Sequence, residues 1–212
     1  MRSFLKMVFL LLILFPLNLV YAYTMDDLFN ELDTPQWSEK VSDPAFIEKF
    51  KNPDMVSTVI NFTDTGKYHW RYRLRAIKLL GSIGTPQAKK ALLDRFQDYF
   101  FHRDCPALKS YLADALGNFK PEMRLIEVLK EGLKDPELLV REAAARSLGK
   151  LRMPESIKYL KEAFLSEKSM AVKIAIVNAL KEIDTPEAKN FIIQIASETN
   201  NRELINALGG SI

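Results

Sequence analysis

Between residues 70 and 212 the chain resembles itself, and this internal repeat limits the possible folds more than any single motif does. The unit is a small or apolar residue, then Leu, usually Gly, and Pro four or five residues later. It reads Leu79-Leu80-Gly81 with Pro86, Ala115-Leu116-Gly117 with Pro121, Ser147-Leu148-Gly149 with Pro154, and Ala179-Leu180-Lys181 with Pro186, then a partial copy, Ala207-Leu208-Gly209. The central leucines are Leu80, Leu116, Leu148, Leu180 and Leu208, one to each copy. Their period, roughly 32 residues, fits two short helices and two tight turns. Upstream of each leucine, apolar residues recur at spacings of three and four, as in Trp70, Leu74, Ile77 and Leu80 or Val172, Ile176 and Leu180, which predicts amphipathic helices. The motif glycines are expected to close these first helices, and Thr85-Pro86, Asp135-Pro136 and Thr185-Pro186 to open the helices that follow them. Second helices are predicted at 87–99, 122–133, 155–165 and 187–196. No stretch alternates with period two between turn signals, so no sheet is expected.

The run Asp135-Pro136-Glu137-Leu138-Leu139-Val140-Arg141-Glu142-Ala143-Ala144-Ala145-Arg146-Ser147-Leu148-Gly149 resembles the first helix of a HEAT-like repeat, the type also found in phycobilisome lyase-related proteins. The resemblance extends over the whole of 70–212 and implies an all-α, right-handed α-solenoid of helical hairpins. It also implies that the first helix of each pair lies on the convex side and the second on the concave, binding side. Two departures stand out: Lys181 replaces the glycine in the fourth copy, and the first copy carries an insertion around 96–103.

Residues 1–22 read as a signal peptide. Arg2 and Lys6 precede the apolar run 7–20, and Val20-Tyr21-Ala22 offers small residues for cleavage after Ala22. That run is short for a membrane span, so no stable anchor is expected after cleavage. The mature chain is expected to be exported, periplasmic in a Gram-negative bacterium and otherwise secreted. Residues 23–69 lack the repeat signature but contain two cap-then-proline helix starts, Asp43-Pro44 and Asn52-Pro53, and read as a helical N-terminal cap on the solenoid of 70–212.

Catalytic residue sets are missing from the sequence. The two histidines, His69 and His102, are not paired with carboxylates in a metal-ligand spacing, and Gly81-Ser82-Ile83-Gly84 reads as a turn rather than a phosphate loop. His102 with Cys105, three positions on, is a thiol-activation pattern in outline, but a single Cys at a helix boundary reads first as packing, and it cannot form an internal disulfide. Glu127 and Glu131 are one helical turn apart on a face that also carries Lys130 and Lys134, which makes them a solvated face rather than a glycosidase pair. The chain is therefore expected to be non-enzymatic, with no catalytic residue, metal or cofactor.

Partner binding has two candidate locations. A cation stands early in each second helix, Lys89, Arg124, Lys158 and Lys189, and stacking would align them as a ladder toward a protein or peptide. The segment Lys67-Tyr68-His69-Trp70-Arg71-Tyr72-Arg73-Leu74-Arg75 interleaves cations with aromatics. With Trp70 facing inward, Arg71, Arg75 and Lys78 would form a ridge, Tyr72 and Arg73 lying on other faces; Trp70, Tyr72 and these cations together would suit an anionic envelope or surface polymer. The whole-chain net charge of +3 points away from nucleic acid, but it is an average: residues 23–66 carry nine acidic and three basic residues, a net of −6, and residues 67–105 a net of +6. That balance fits a second account of the basic segment, neutralisation by its own cap.

Overall fold

The computed structural model describes residues 24–64, 67–103, 105 and 107–209; the expected signal peptide lies outside them, as does the His102 side chain. Among the described residues the chain is helical with no strand. Four short helices come first, α1 (Met25–Leu32), α2 (Trp37–Lys40), α3 (Pro44–Glu48) and α4 (Pro53–Asn61). Each of the last two begins on a proline whose preceding residue caps it: Asp43 and Asn52 accept the backbone N–H of Ala45 and Met55. Helix pairs follow: α5 (Trp70–Ile83) with α6 (Pro86–Gln97), α8 (Ala107–Leu116) with α9 (Met123–Gly132), α10 (Leu138–Leu151) with α11 (Ile157–Ser166), and α12 (Met170–Ile183) with α13 (Pro186–Glu198). The one-turn α7 (Tyr99–His102) occupies the insertion, and α14 (Arg202–Leu208) stands as the fifth first helix.

The first helices α5, α8, α10, α12 and α14 pack on one another in succession, which makes the molecule an α-solenoid of HEAT-like hairpins with one continuous apolar core. The motif glycines act here, and in part differently from the sequence expectation: Gly117 directly follows α8, as a closing residue would. Gly81 and Gly149 lie inside α5 and α10; the left-handed residue that ends each of these helices comes three positions later, at Gly84 (φ 68°) and Arg152 (φ 51°), with Asp184 (φ 55°) in the same place after α12. What requires glycine at 81, 117 and 149 is the next repeat. A Cβ on Gly81 would lie 2.9 Å from the Ala115 Cβ, one on Gly117 2.6 Å from the Ser147 Oγ, and one on Gly149 2.6 Å from the Ala179 Cα. The small residue before each Leu is thus received by the glycine of the preceding repeat. Ser147 adds a buried bond, its hydroxyl donating to the Ala113 carbonyl at 2.8 Å. In the fourth copy Lys181 donates to the Ala207 carbonyl at 2.7 Å, bridging the same step with a long side chain.

A second contact repeats along the turns. Lys109 pairs with the buried Asp135 at 2.5 Å, and one repeat further on Arg141 pairs with Glu167 at 2.7 Å. Asp135 does not cap a helix starting at Pro136; it accepts the Glu137 N–H, and α10 begins at Leu138. Glu167 is the better-supported carboxylate, accepting Arg141 and the N–H groups of Lys168 and Ser169 at the start of α12. Burial works to raise the Glu167 pKa, but the guanidinium and the two N–H groups outweigh it and hold the carboxyl below its ordinary value of 4.5.

Both contacts can be tested by substitution. Gly149→Ala gains about 1 kcal/mol of helix propensity but drives a methyl into Ala179, and overpacking of about 1–3 kcal/mol or more should win, so Tm falls by several degrees in a thermal melt. Glu167 has a depressed folded pKa, so its contribution is present in full above pH 4.5 and is lost as pH falls through the folded value. Glu167→Gln should therefore be less stable than wild type at pH 7, and urea melts should show that deficit shrinking at pH below about 4.

Candidate functional site

The basic segment at the start of α5 is largely turned inward. Trp70, expected to face the core, is 43% exposed, whereas Arg73 and Arg75 are 2% and 9% exposed. The Arg73 Nε–H donates to the Thr63 carbonyl at 3.1 Å, its Nη2 donates to the Phe101 carbonyl, and its guanidinium lies 4.5 Å from the Phe101 ring centroid. Arg75 donates to the Leu32 carbonyl and to Asp33 Oδ1 at 3.2 Å, between the rings of Trp37 and Tyr72. These acceptors sit at the C-terminal ends of α1, α4 and α7, where backbone carbonyls lack helical partners. The two arginines therefore fasten the N-terminal helices and the insertion to the first repeat. Arg95 adds a bond to Asp64 at 3.0 Å, Tyr72 packs with Phe29 at 4.6 Å, and Lys78 lies over Trp37 and Tyr111. Arg71 is left exposed beside His69, whose Nδ1 accepts the Arg71 N–H at the head of the helix. The cationic ridge of Arg71, Arg75 and Lys78 is thus not presented as a continuous surface.

The four cations Lys89, Arg124, Lys158 and Lys189 stand in the first turns of α6, α9, α11 and α13, with unequal surroundings. Lys89 is paired with Glu122 at 2.5 Å and Lys189 with Asp184 at 2.8 Å. Arg124 reaches Gln97 at 3.3 Å and Glu127 at 3.6 Å, and Lys158 lies 4.6 Å from the Tyr159 ring centroid.

Further along the second helices lie two grooves that the sequence does not announce. One, of about 150 Å³, lies between α9 and α11 and is lined by Lys130, Leu133, Tyr159 and Ala163 among others. The other, of about 200 Å³, lies between α11 and α13 and is lined by Leu165, Phe191, Gln194 and Ile195 among others. Leu133 and Leu165, Tyr159 and Phe191, and Ala163 and Ile195 are each separated by one repeat, so the grooves are one structure repeated. Lysines cover their rings: Lys130 lies 5.2 Å from Tyr159, Lys161 5.2 Å from Phe191 and Lys173 5.1 Å from Phe164. Leu165 is 74% exposed at the lip. Aligning the copies on their leucines exposes this register. Among the described residues no three His, Cys, Asp or Glu side chains are grouped to hold a metal ion, and no helix is long and apolar enough to cross a membrane. Cys105 is half-buried against the core as a free thiol.

Residues 98–169 match the family model for HEAT repeats. No curated protein matches the chain. Among solved structures, it is similar to the complex of CpcE and CpcF of phycocyanin lyase from Nostoc sp. PCC7120, with 17% identity, a TM-score of 0.53, and coverage of 93% of this chain and 79% of that one. It is also similar to a designed armadillo repeat protein in complex with the peptide (KR)4, with 16% identity, a TM-score of 0.56, and coverage of 88% and 97%. Computationally designed armadillo repeat proteins for modular peptide recognition align at 17% identity and a TM-score of 0.52 over 88% of this chain and 96% of theirs. At these identities the likeness is one of fold.

The burial of the arginines carries its own prediction. Arg73→Leu leaves the Thr63 and Phe101 carbonyls without their donor and should lose about 2–4 kcal/mol, a Tm drop of roughly 5–15 °C with early exposure of the N-terminal helices to protease. Arg71→Ser should leave the melt within a degree or two of wild type.

Proposed function

We propose that this HEAT-like solenoid is an exported, non-catalytic scaffold that holds a protein or peptide partner along its second-helix face. The observation that carries this reading is the groove that recurs from one repeat to the next, with Tyr159 and Phe191 in corresponding positions and exposed Leu165 at its lip. A periodic, open surface suits a chain-like ligand that is read one repeat at a time; a reaction needs a single closed site with converging polar groups. The armadillo neighbours, described as bound to a peptide and as designed for modular peptide recognition, support a ligand of that kind on this fold. Export rests on the basic n-region, the apolar run and the Ala22 site. Neither nucleic acid nor a cofactor enters this reading. An anionic polymer bound through 67–95 is the weaker alternative, because Arg73 and Arg75 are occupied by backbone carbonyls and Lys89 by Glu122. A lyase-like activity is the remaining alternative, since a lyase complex shares the fold, but among the described residues no group of three His, Cys, Asp or Glu side chains is placed to hold a metal ion in its favour.

The test is affinity capture from the native cell with the mature chain. The variant combining Lys89→Ser, Arg124→Ser, Lys158→Ser and Lys189→Ser with Leu165→Glu touches exposed or paired surface groups, each worth about 0–1 kcal/mol to stability, and should keep its helical spectrum. Capture of a partner protein should fall at least about tenfold, since roughly 1.4 kcal/mol is a factor of ten in affinity. Undiminished capture by the folded variant contradicts the assignment of the second-helix face.

A further inference from the structure

The turns that join each first helix to its second helix lie along one edge of the stack, and on that edge the second and third repeats leave cations unmatched. Lys120 stands in the turn between α8 and α9, Lys150 and Arg152 at the end of α10, and Lys158 in the first turn of α11, all exposed. Among the described residues none of the four has a carboxylate at ion-pair distance. Lys120 and Arg152 make no side-chain hydrogen bond, Lys150 reaches only Asn118 Oδ1 at 3.5 Å, and Lys158 touches the Tyr159 ring. The Lys150–Asn118 contact joins the two turns, and α9 packs against Pro154–Ser156, so the four belong to one patch. Several other repeat cations are matched, Lys109 by Asp135, Arg141 by Glu167, Arg146 by Asp114 and Lys161 by Glu187, while Lys130 and Lys173 lie over the Tyr159 and Phe164 rings away from this edge. The acids of this edge do not cancel the patch: Glu122 is held by Lys89, and the exposed Glu155 leaves a net of +3. In the fourth repeat the same turn has Asp184 in place of Arg152 and a lysine, Lys189, paired to it.

Two details indicate the kind of ligand. Arg152 holds a left-handed backbone position that Gly84 fills in the first repeat, and its side chain gains no partner within the described chain in return. Met123, the first residue of α9, is 47% exposed beside the same turn, an adaptable apolar surface.

We propose that this edge docks an acidic, extended segment of a partner protein, with its carboxylates on Lys120, Lys150, Arg152 and Lys158 and an apolar side chain on Met123. This deepens the scaffold reading and rests on it. Stacked helices are about 8–10 Å apart, close to three residues of extended chain at about 3.3 Å each, so acidic positions can meet successive repeats in register. A purely ionic polymer would have no use for the thioether.

Fluorescence anisotropy on the full mature chain tests the proposal, with fluorescein-labelled (Glu-Glu-Leu)3 as probe, (Lys-Lys-Leu)3 as its charge control and a heparin decasaccharide as competitor. The acidic peptide should bind and weaken with salt, and the basic one should not bind. Lys120→Glu, Lys150→Glu and Arg152→Glu together should weaken the acidic peptide by about tenfold or more. Arg152→Gly should weaken it about threefold while its Tm stays level or rises, which separates lost binding from lost folding. Met123→Ser should weaken it without changing the salt dependence. Affinity unchanged by the charge reversals overturns the proposal. So does a decasaccharide that binds more tightly than the peptide and ignores Met123→Ser, which would mark a polyanion surface. Backbone amide shifts mapped during the titration keep the two readings apart: shifts around Tyr159 to Leu165 with none at 118–124 and 150–153 would reject this edge and leave the groove standing, whereas loss of cellular capture in neither set of variants would reject the scaffold reading itself.

Discussion

Everything else in this molecule depends on how closely one first helix can approach the next. Three glycines, at 81, 117 and 149, each admit the small residue of the following repeat to a distance no Cβ would tolerate. Close approach brings helix backbones into van der Waals contact and lets leucines on either side interlock in a single core. A glycine inside a helix, as at 81 and 149, carries a propensity penalty of about 1 kcal/mol relative to alanine, so its presence there marks packing as the stronger term. Where the pattern lapses, at Lys181, the contact becomes a lysine reaching over to a carbonyl, and it falls at the step onto α14.

Fixing the first helices fixes the edges. The turns from second to first helices are drawn together by the Lys109–Asp135 and Arg141–Glu167 pairs, each desolvated and matched. The opposite turns have less to hold them and carry exposed charge. The same chain therefore shows two kinds of basic residue: those that satisfy carboxylates or helix-end carbonyls, and those such as Lys120 and Arg152 that satisfy nothing in the described structure. A guanidinium buried against carbonyls, as in Arg73 and Arg75, is a structural fastener despite its sign. Sequence charge alone does not separate these classes, and the near-cancellation of −6 in the cap by +6 in the following segment is realised only in part by direct ion pairs.

The helix pairs are legible in the sequence because period, proline and N-cap residues are local signals; Thr85 and Thr185 cap their helices through the N–H of Ala88 and Ala188. The role of the glycines is not, because close approach between repeats is a long-range fact, whereas a glycine before a turn has an obvious local use. Arg73 and Arg75 pass for surface residues for a related reason: their acceptors, at Thr63, Phe101 and Leu32, are backbone carbonyls that carry no residue signature. The paired grooves emerge when the copies are written beneath one another, since Tyr159 and Phe191 share a register position. Arg152 stands out in the same way, opposite Gly84 and Asp184.

The central claim is that the partner lies on the second-helix face and its adjoining edge, and site-specific photo-crosslinking in the native cell tests it most directly. A photo-reactive residue in place of Lys158 should label a protein partner, and one in place of Arg146, which sits across the first helices paired with Asp114 and Glu142, should label none. Labelling from position 146 with silence at 158 would contradict the account.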